Sequence, residues 1–276
     1  MSHDAHIGDV NGSLNFIVRQ DTKPYFHSAL LTGGKPKFFF DVEAKDVQIR
    51  NLRGLTEASV DREGFELLTH PTTVADLNDD DAVNTVYYEE LEEMLRARFN
   101  AKRVVIFDST RRSDRRGGAE NPDGARRPAS HIHVDYTVDS GPKRLREVLG
   151  DEEAERLLRE GARIRQINVW RPIVGPVERA PLALADASSI AQEDLFATDH
   201  VFPDRTGEIY HLAYSPSQRW FYAPHMTRDE VLLIKGWDSL EDGPARFTPH
   251  TAFDLPDTPP TAPPRESIET RTLVIG

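Results

Sequence analysis

The sequence predicts a mainly β fold with flanking helices, of the β-sandwich or jelly-roll type. Two helical segments with one apolar face lie in its first part, and short apolar or alternating segments typical of strands follow them at fairly regular intervals. Asn-Pro, Gly-Pro and Ser-Pro turn signals separate these segments. The sequence shows neither an internal repeat nor a heptad run, so one compact β architecture accounts for the pattern best.

Strands are expected before the first helix, and residues 1–60 are interpreted as an N-terminal group of strands. The segments with strand patterns are 15–19, 37–42, 47–52 and 65–68. A run of acidic and amide residues then precedes a helix predicted over residues 80–100. Its apolar face is formed by Val83, Val86, Tyr87, Leu91, Met94 and Leu95.

The region after this helix combines one long polar segment with many short strands. Residues 108–130 are rich in Arg, Gly and Pro without apolar periodicity, which predicts a mobile loop or lid. A second helix is expected over residues 142–161, and Lys235 is expected on an edge strand. The predicted strands are 104–107, 131–137, 164–170, 182–185, 208–213, 220–222, 231–235 and 268–275. Five prolines in residues 256–264 indicate an extended loop, and no internal domain boundary is evident, so residues 1–276 are predicted to form one domain.

Composition excludes several classes of function. The net charge of −12 would repel phosphate backbones, so nucleic acid is not expected as a partner. The sequence contains no cysteine, which excludes disulfides, thiolate zinc sites and iron–sulfur clusters. Neither a signal peptide nor a membrane helix is evident, so a cytoplasmic protein is expected. The oligomeric state stays open, with a homodimer as one option.

The sharpest local signal is the His133-Val134-Asp135 motif on a predicted strand. Residues i and i+2 of a strand point to the same face, so one imidazole and one carboxylate converge there. With a distant histidine, His250, they would form a two-histidine, one-carboxylate triad, which leaves three adjacent positions open on iron(II). Taken alone, the motif also fits a surface strand whose His and Asp bond each other. His131 does not replace His133, because it lies about 13 Å from Asp135 along a strand.

Arginines near the predicted strands are candidate anion-binding residues. Arg265 and Ser267 would share a face of the last strand, where a guanidinium and a hydroxyl offer donors to a carboxylate. Arg271 is the alternative, but Glu269 lies on the same strand face as Arg271 and would compete with the cosubstrate for its guanidinium.

Asn168 and Arg171 are further candidates for a cosubstrate pocket. Alternatively, this segment supplies a structural Trp170 and an arginine that closes a turn.

These motifs together resemble the hydroxylase/desaturase family of fungal and bacterial secondary metabolism, which includes proteins similar to an aspergillic-acid hydroxylase and to a cephamycin methoxylase component. The resemblance covers most of the chain from about Gly64. The residues that carry it are 64–67 (Gly-Phe-Glu-Leu), 87–90 (Tyr-Tyr-Glu-Glu), 133–137 (His-Val-Asp-Tyr-Thr), 168–172 (Asn-Val-Trp-Arg-Pro), 232–239 (Leu-Leu-Ile-Lys-Gly-Trp-Asp-Ser), 250–253 (His-Thr-Ala-Phe) and 264–271 (Pro-Arg-Glu-Ser-Ile-Glu-Thr-Arg).

The resemblance implies a cupin-like double-stranded β-helix with iron(II) and 2-oxoglutarate as cofactors. Iron would be held by His133, Asp135 and His250, and 2-oxoglutarate by Arg265 and Ser267. The expected reaction uses molecular oxygen to hydroxylate, desaturate or cyclise a small molecule, for example one derived from an amino acid. Two alternatives remain at this point: a cupin-type metalloenzyme that does not use 2-oxoglutarate, and a non-catalytic jelly-roll binding protein.

Overall fold

The computed structural model describes residues 8–55, 57–122 and 124–276, and it consists of two facing β-sheets with helices on one side. The strands are β1 (Val10–Ile17), β2 (Tyr25–His27), β3 (Lys37–Phe38), β4 (Val42–Asn51), β5 (Phe65–Thr69), β6 (Arg103–Ser113), β7 (His133–Val134), β8 (Ile164–Val174), β9 (Leu182–Ala185), β10 (Leu195–Val201), β11 (Thr206–Leu212), β12 (Trp220–Tyr222), β13 (Glu230–Asp238), β14 (His250–Ala252) and β15 (Glu266–Ile275). The α-helices are α1 (Ala29–Thr32), α2 (Asp80–Ala82), α3 (Tyr88–Phe99), α4 (Ser140–Leu149) and α5 (Asp151–Arg159), and a π-helical turn, Val83–Tyr87, joins α2 to α3.

The pairing of eight strands gives the fold its topology. In chain order these eight are β6, β7, β8, β9, β12, β13, β14 and β15. The first pairs with the last, the second with the seventh, the third with the sixth and the fourth with the fifth, all antiparallel. This nested order is that of a double-stranded β-helix, as predicted. The hairpin of β10 and β11 is inserted between β9 and β12, and its second strand pairs with β7.

The sheets are ordered β1-β4-β12-β9-β14-β7-β11-β10-β2-β3 and β5-β13-β8-β15-β6. The N-terminal strands expected in residues 1–60 are present, and they extend both edges of the ten-stranded sheet. The first seven residues of that predicted group lie outside the described residues. Strands β2 and β10 and helix α1 were not predicted, because none of them carries a clear apolar periodicity.

The predicted first helix packs on the outer face of the five-stranded sheet. Its buried stripe runs at a spacing of four residues through Val83, Tyr87, Leu91 and Leu95. Val86 was wrongly placed on that stripe, since it lies beside it and is 42% exposed. The predicted second helix is two helices, which meet at Gly150, whose φ of 84° ends α4.

The predicted loop over residues 108–130 begins later than expected. Strand β6 continues to Ser113 and pairs with β15 along its whole length, so residues 108–113 belong to the sheet. The prediction failed because this part of β6 carries polar side chains where an apolar alternation was sought. Conversely, only His133 and Val134 of the predicted strand 131–137 join the ten-stranded sheet as a strand.

Lys235 does not lie on an edge strand, which corrects the prediction. Strand β13 has neighbours on both sides, and the side chain of Lys235 is completely buried. Its Nζ donates to Asp61 Oδ1 and to Asp238 Oδ2, both at 2.7 Å. Arg163 Nη2 also donates to Asp238 Oδ2 at 2.6 Å. Burial alone would raise the pKa of Asp238, but Arg163 and Lys235 hold it below its usual range.

Replacing Asp238 with Asn is expected to destabilise the fold by about 3 kcal/mol. The reason is that removing a carboxylate from a buried ion pair leaves the buried cation poorly compensated. The ammonium of Lys235 would keep only Asp61 as an acidic partner. Urea denaturation monitored by circular dichroism measures this free energy of unfolding. Arg156→Ala, which breaks an exposed helix ion pair, is the control and should change little. An Asp238→Asn protein as stable as the parent would contradict the expectation.

Candidate active site

Two histidines face each other across the centre of the ten-stranded sheet. His133 on β7 and His250 on β14 are direct cross-strand partners, and their ring centroids are 4.6 Å apart. Nδ1 of His133 lies 2.9 Å from the carbonyl of His131, and Nδ1 of His250 lies 3.0 Å from that of Thr248. A carbonyl oxygen can only accept, so each Nδ1 carries the hydrogen and each Nε2 keeps a free lone pair. This is the tautomer that a metal-binding histidine needs.

Asp135 supplies a carboxylate beside this pair. Its Oδ1 lies 3.9 Å from Nε2 of His133, within the span of two metal–ligand bonds of about 2.1 Å each. Burial alone would raise the pKa of Asp135, but Arg271 and the two histidines hold it well below its usual range. Burial and the neighbouring His250 lower the pKa of His133 to about 3. Around neutral pH the site therefore offers an ionised carboxylate and a neutral imidazole, which is the donor chemistry that suits iron(II).

Asn168 holds the carboxylate of Asp135 in place. Its Nδ2 donates to Asp135 Oδ2, and its Oδ1 accepts from Gln166 Nε2 at 2.6 Å, which fixes the orientation of the amide. Gly236 leaves room for this chain of bonds, since a Cβ there would lie 1.8 Å from Gln166 Oε1. The structure assigns the amide of Asn168 to Asp135 and Gln166, and its contact with a cosubstrate stays a prediction.

Asn168→Leu is expected to weaken iron(II) binding about 10- to 100-fold, since a bond that orients a metal ligand contributes on that scale. Leucine keeps the volume but cannot donate to Asp135. An anaerobic titration with iron(II) measures the dissociation constant, and Asn168→His, which retains a ring N–H donor, is the comparison. Unchanged affinity in the leucine variant would show that Asp135 needs no such support.

Arg171 does not lie in the site. Adjacent residues of a strand point to opposite faces, so Arg171 lies on the other side of the sheet from Asn168 and Trp170. There its Nε donates to Tyr87 Oη at 3.1 Å and its Nη1 to the carbonyl of Arg228 at 2.6 Å. The predicted cofactor contact of Arg171 is therefore wrong, because the helix layer covers this residue.

Arg265 is a buried cation without an acidic hydrogen-bonding partner in the described part of the chain. It is 2% exposed, and its Nε and Nη2 donate to Ser267 Oγ at 3.3 and 2.9 Å. Its Nη1 donates to the carbonyl of Ala180 at 2.9 Å, and the guanidinium lies 5.1 Å from the centre of the Trp170 ring. Burial and the nearby Arg112 lower the pKa of Arg265 to about 9. A bound anion would relieve this unfavourable burial.

Arg271 differs from Arg265 because its charge is already compensated. Its Nη1 lies 2.7 Å from Asp108 Oδ2, and its Nη2 lies 2.7 Å from Glu269 Oε1. Burial alone would lower the pKa of Arg271, but Asp135, Glu269 and Asp108 raise it well above its usual value. Arg271 is thus a partner of carboxylates that belong to the protein.

Two further side chains reach this region that were not among the predicted site residues. Arg112 pairs with Ser267 across β6 and β15, so both lie on one face, and its Nη1 donates to the carbonyl of Arg127 at 2.9 Å. Polar residues at every second position, Asp108, Thr110 and Arg112, are a pattern from which this part of β6 could have been predicted. His211 is the cross-strand partner of His133 on β11. The sequence left open whether this histidine lines a pocket or occupies an ordinary strand position.

Comparison with known proteins identifies the family. Residues 14–275 match a family model described as "Oxidoreductase/YMDC permease-like domain". The chain is 36% identical over 253 residues to "Hydroxylase/desaturase CTB9" of Cercospora beticola. The aligned region covers 84% of this chain and 76% of the relative. It is 33% identical over 235 residues to "Fe(II)/2-oxoglutarate-dependent dioxygenase nvfI" of Aspergillus novofumigatus, covering 80% and 81% of the two chains. The chain belongs to the hydroxylase/desaturase family of Fe(II)/2-oxoglutarate-dependent dioxygenases.

Solved structures agree with this family. The dioxygenase superimposes on "iron and alpha-ketoglutarate-dependent endoperoxidase NvfI" with a TM-score of 0.84 and 27% identity, over 98% of both chains. The predicted double-stranded β-helix, the enzyme class and the two cofactors, iron(II) and 2-oxoglutarate, are thereby confirmed. The cupin-type enzyme without 2-oxoglutarate and the non-catalytic binding protein are set aside. In the part of the chain that the structure describes, no helix is long and apolar enough to span a membrane.

Proposed function

We propose that this dioxygenase holds iron(II) through Nε2 of His133, Nε2 of His250 and the carboxylate of Asp135. The observation that carries the proposal is the fixed tautomer of both histidines, each of which directs a free Nε2 lone pair to the same face as an ionised carboxylate. Two imidazoles and one carboxylate are the ligand set typical of non-haem iron(II) oxygenases, with positions left open for a cosubstrate and oxygen.

We further propose that Arg265 and Ser267 bind the distal carboxylate of 2-oxoglutarate. Arg265 is buried, positively charged and bonded to a hydroxyl and a carbonyl oxygen, while the neighbouring Arg271 is occupied by Asp108 and Glu269. A guanidinium donates to a carboxylate in a charge-assisted and bidentate manner. The Trp170 ring against Arg265 keeps water from one side of the guanidinium.

Bound iron(II) supplies the activation of oxygen, with 2-oxoglutarate converted to succinate and carbon dioxide while the substrate is oxidised. The protein positions the reacting groups and excludes water. Asn168 and Arg271 hold Asp135, the strand carbonyls fix both imidazoles, and Arg265 orients the cosubstrate. The proposed substrate is a small molecule of secondary metabolism, which is hydroxylated, desaturated or cyclised. The cytoplasmic location stays a prediction, and the oligomeric state stays open.

A direct experiment combines the anaerobic full-length chain with iron(II) and 2-oxoglutarate and then adds oxygen. Succinate should form only when both cofactors are present, without a reduced nicotinamide or a flavin. A calcium-loaded sample serves as control, because calcium is a redox-inactive divalent ion. Failure of the chain to bind iron(II), or succinate formation at equal rates with calcium, would contradict the proposal.

A further inference from the structure

His211 extends the row of site histidines by one strand. It lies on β11 of the inserted hairpin, which flanks β7 on the side opposite β14. Because His211 and His133 are direct cross-strand partners, their side chains lie on the same face of the sheet. His211 is 3% exposed. Three imidazoles on three neighbouring strands therefore share one face, and the proposed iron site uses two of them.

The hydrogen bonds of His211 favour one tautomer of its ring. Its Nδ1 lies 3.0 Å from the hydroxyl oxygen of Thr198, and that hydroxyl donates to the carbonyl of Phe196 at 3.0 Å. A hydroxyl has one hydrogen, so with that hydrogen on the Phe196 carbonyl, Thr198 accepts at Nδ1 of His211. The hydrogen of the neutral ring is then on Nδ1, and Nε2 is an acceptor. No described residue donates a hydrogen bond to this nitrogen, although the side chain is almost completely buried.

Aromatic rings surround His211. Its ring centroid lies 4.8 Å from that of Phe40 and 5.8 Å from that of Phe26. The ring centroid of Phe38 lies 4.2 Å from that of His131, and the ring centroid of His131 lies 6.5 Å from that of His211. The sheet face beside the proposed iron site therefore carries phenyl and imidazole rings, and Nε2 of His211 is an acceptor among them.

We propose that His211 accepts a hydrogen bond from a hydroxyl or N–H group of the substrate, whose remaining skeleton is apolar and packs on Phe26, Phe38 and Phe40. This inference rests on the proposed function, because it takes the face that carries His133 and His250 as the place of oxidation. An acceptor atom that the described residues leave without a donor disfavours ligands that cannot supply one. The substrate class is thus an apolar molecule with at least one hydrogen-bond donor near the carbon that is oxidised.

The first test needs no substrate and uses zinc(II) as the metal probe on the full chain labelled with ¹⁵N-histidine. Nuclear magnetic resonance should show His211 as the tautomer with hydrogen on Nδ1. Zinc(II) should shift the Nε2 resonances of His133 and His250 and leave that of His211 in place. Hydrogen on Nε2 of His211, or a zinc-induced shift of that nitrogen like those of the ligands, would overturn the inference. Absence of any zinc effect on His133 and His250 would instead contradict the proposed function.

The second test uses 2-naphthol and its methyl ether, 2-methoxynaphthalene, as a matched pair with and without a donor. Calorimetry on the anaerobic iron(II)–2-oxoglutarate complex should show at least tenfold tighter binding of the alcohol. His211→Phe should remove this preference, while His211→Gln, which keeps an acceptor, should retain part of it. Equal binding of both probes to the parent protein, binding of neither, or an unchanged preference in His211→Phe would overturn the inference. Iron(II) binding, recorded on the same samples, separates these results from a failure of the proposed function.

Discussion

Oxygen-dependent formation of succinate is expected to fall below detection when His133, Asp135 or His250 is replaced by alanine. Each variant removes one of three ligands, and two ligands from the protein do not hold a labile ferrous ion firmly. The affinity for iron(II) should fall sharply in each case. Anaerobic iron titration and a succinate assay measure the two effects on the same preparation.

The fold should survive these substitutions, and this separates a lost ligand from a lost structure. Circular dichroism and thermal unfolding of the metal-free proteins provide that comparison. His27→Ala is the matched control, because it removes a half-buried imidazole on β2, three strands away from β7. Near-normal activity in all three ligand variants would mean that the iron site lies elsewhere.

Arg265→Leu is expected to raise the concentration of 2-oxoglutarate needed for half-maximal rate by one to two orders of magnitude. A charge-assisted bidentate contact contributes roughly 1.5–3 kcal/mol, which corresponds to that range. Iron(II) binding should change little, since Arg265 is not among the described partners of Asp135, His133 or His250. Arg265→Lys should have an intermediate effect, because lysine keeps the charge and loses the bidentate geometry.

Arg271→Leu is the informative comparison and should give a different defect. It leaves Asp108 and Glu269 without their cation and removes a positive charge 3.7 Å from Asp135 Oδ1. We therefore expect lower stability, with a smaller change in the requirement for 2-oxoglutarate than Arg265→Leu causes. If Arg271→Leu alone raised that requirement, the distal carboxylate would have to be assigned to Arg271.

Local spacing was sufficient for much of the candidate site. The i, i+2 relation of His133 and Asp135 survives in the structure because it follows from the geometry of one extended segment. The same relation places Arg265 beside Ser267, where the two side chains bond. The strand segments at 182–185 and 220–222 were predicted with the bounds that the structure gives them, since continuous apolar runs between turn residues mark short buried strands.

Other residues failed because their surroundings come from distant parts of the chain. Arg171 was assigned to the cosubstrate pocket, yet the helix that covers its side of the sheet comes from residues 80–99 and puts Tyr87 against it. Lys235 was placed on an edge, yet Asp61 and Asp238 make an interior position favourable for a charge. A single segment cannot indicate which charges the rest of the chain will bring to it.

The sequence by itself determined most of the strands and the two helical regions, the shared face of His133 and Asp135, and the chemistry that these side chains offer. Periodicity fixes these properties because they depend on the backbone geometry of neighbouring residues. Only the tertiary structure decided which strands are adjacent. Strand pairing brought His250 beside His133 on one side and His211 beside it on the other. It also placed Arg271 against the carboxylates of Asp108 and Glu269. Arg265, in contrast, donates to a hydroxyl and to a carbonyl oxygen. The physical reason is that strand pairing joins segments far apart in the chain, so the neighbours that set the charge and hydrogen bonding of a side chain are not encoded in its local sequence.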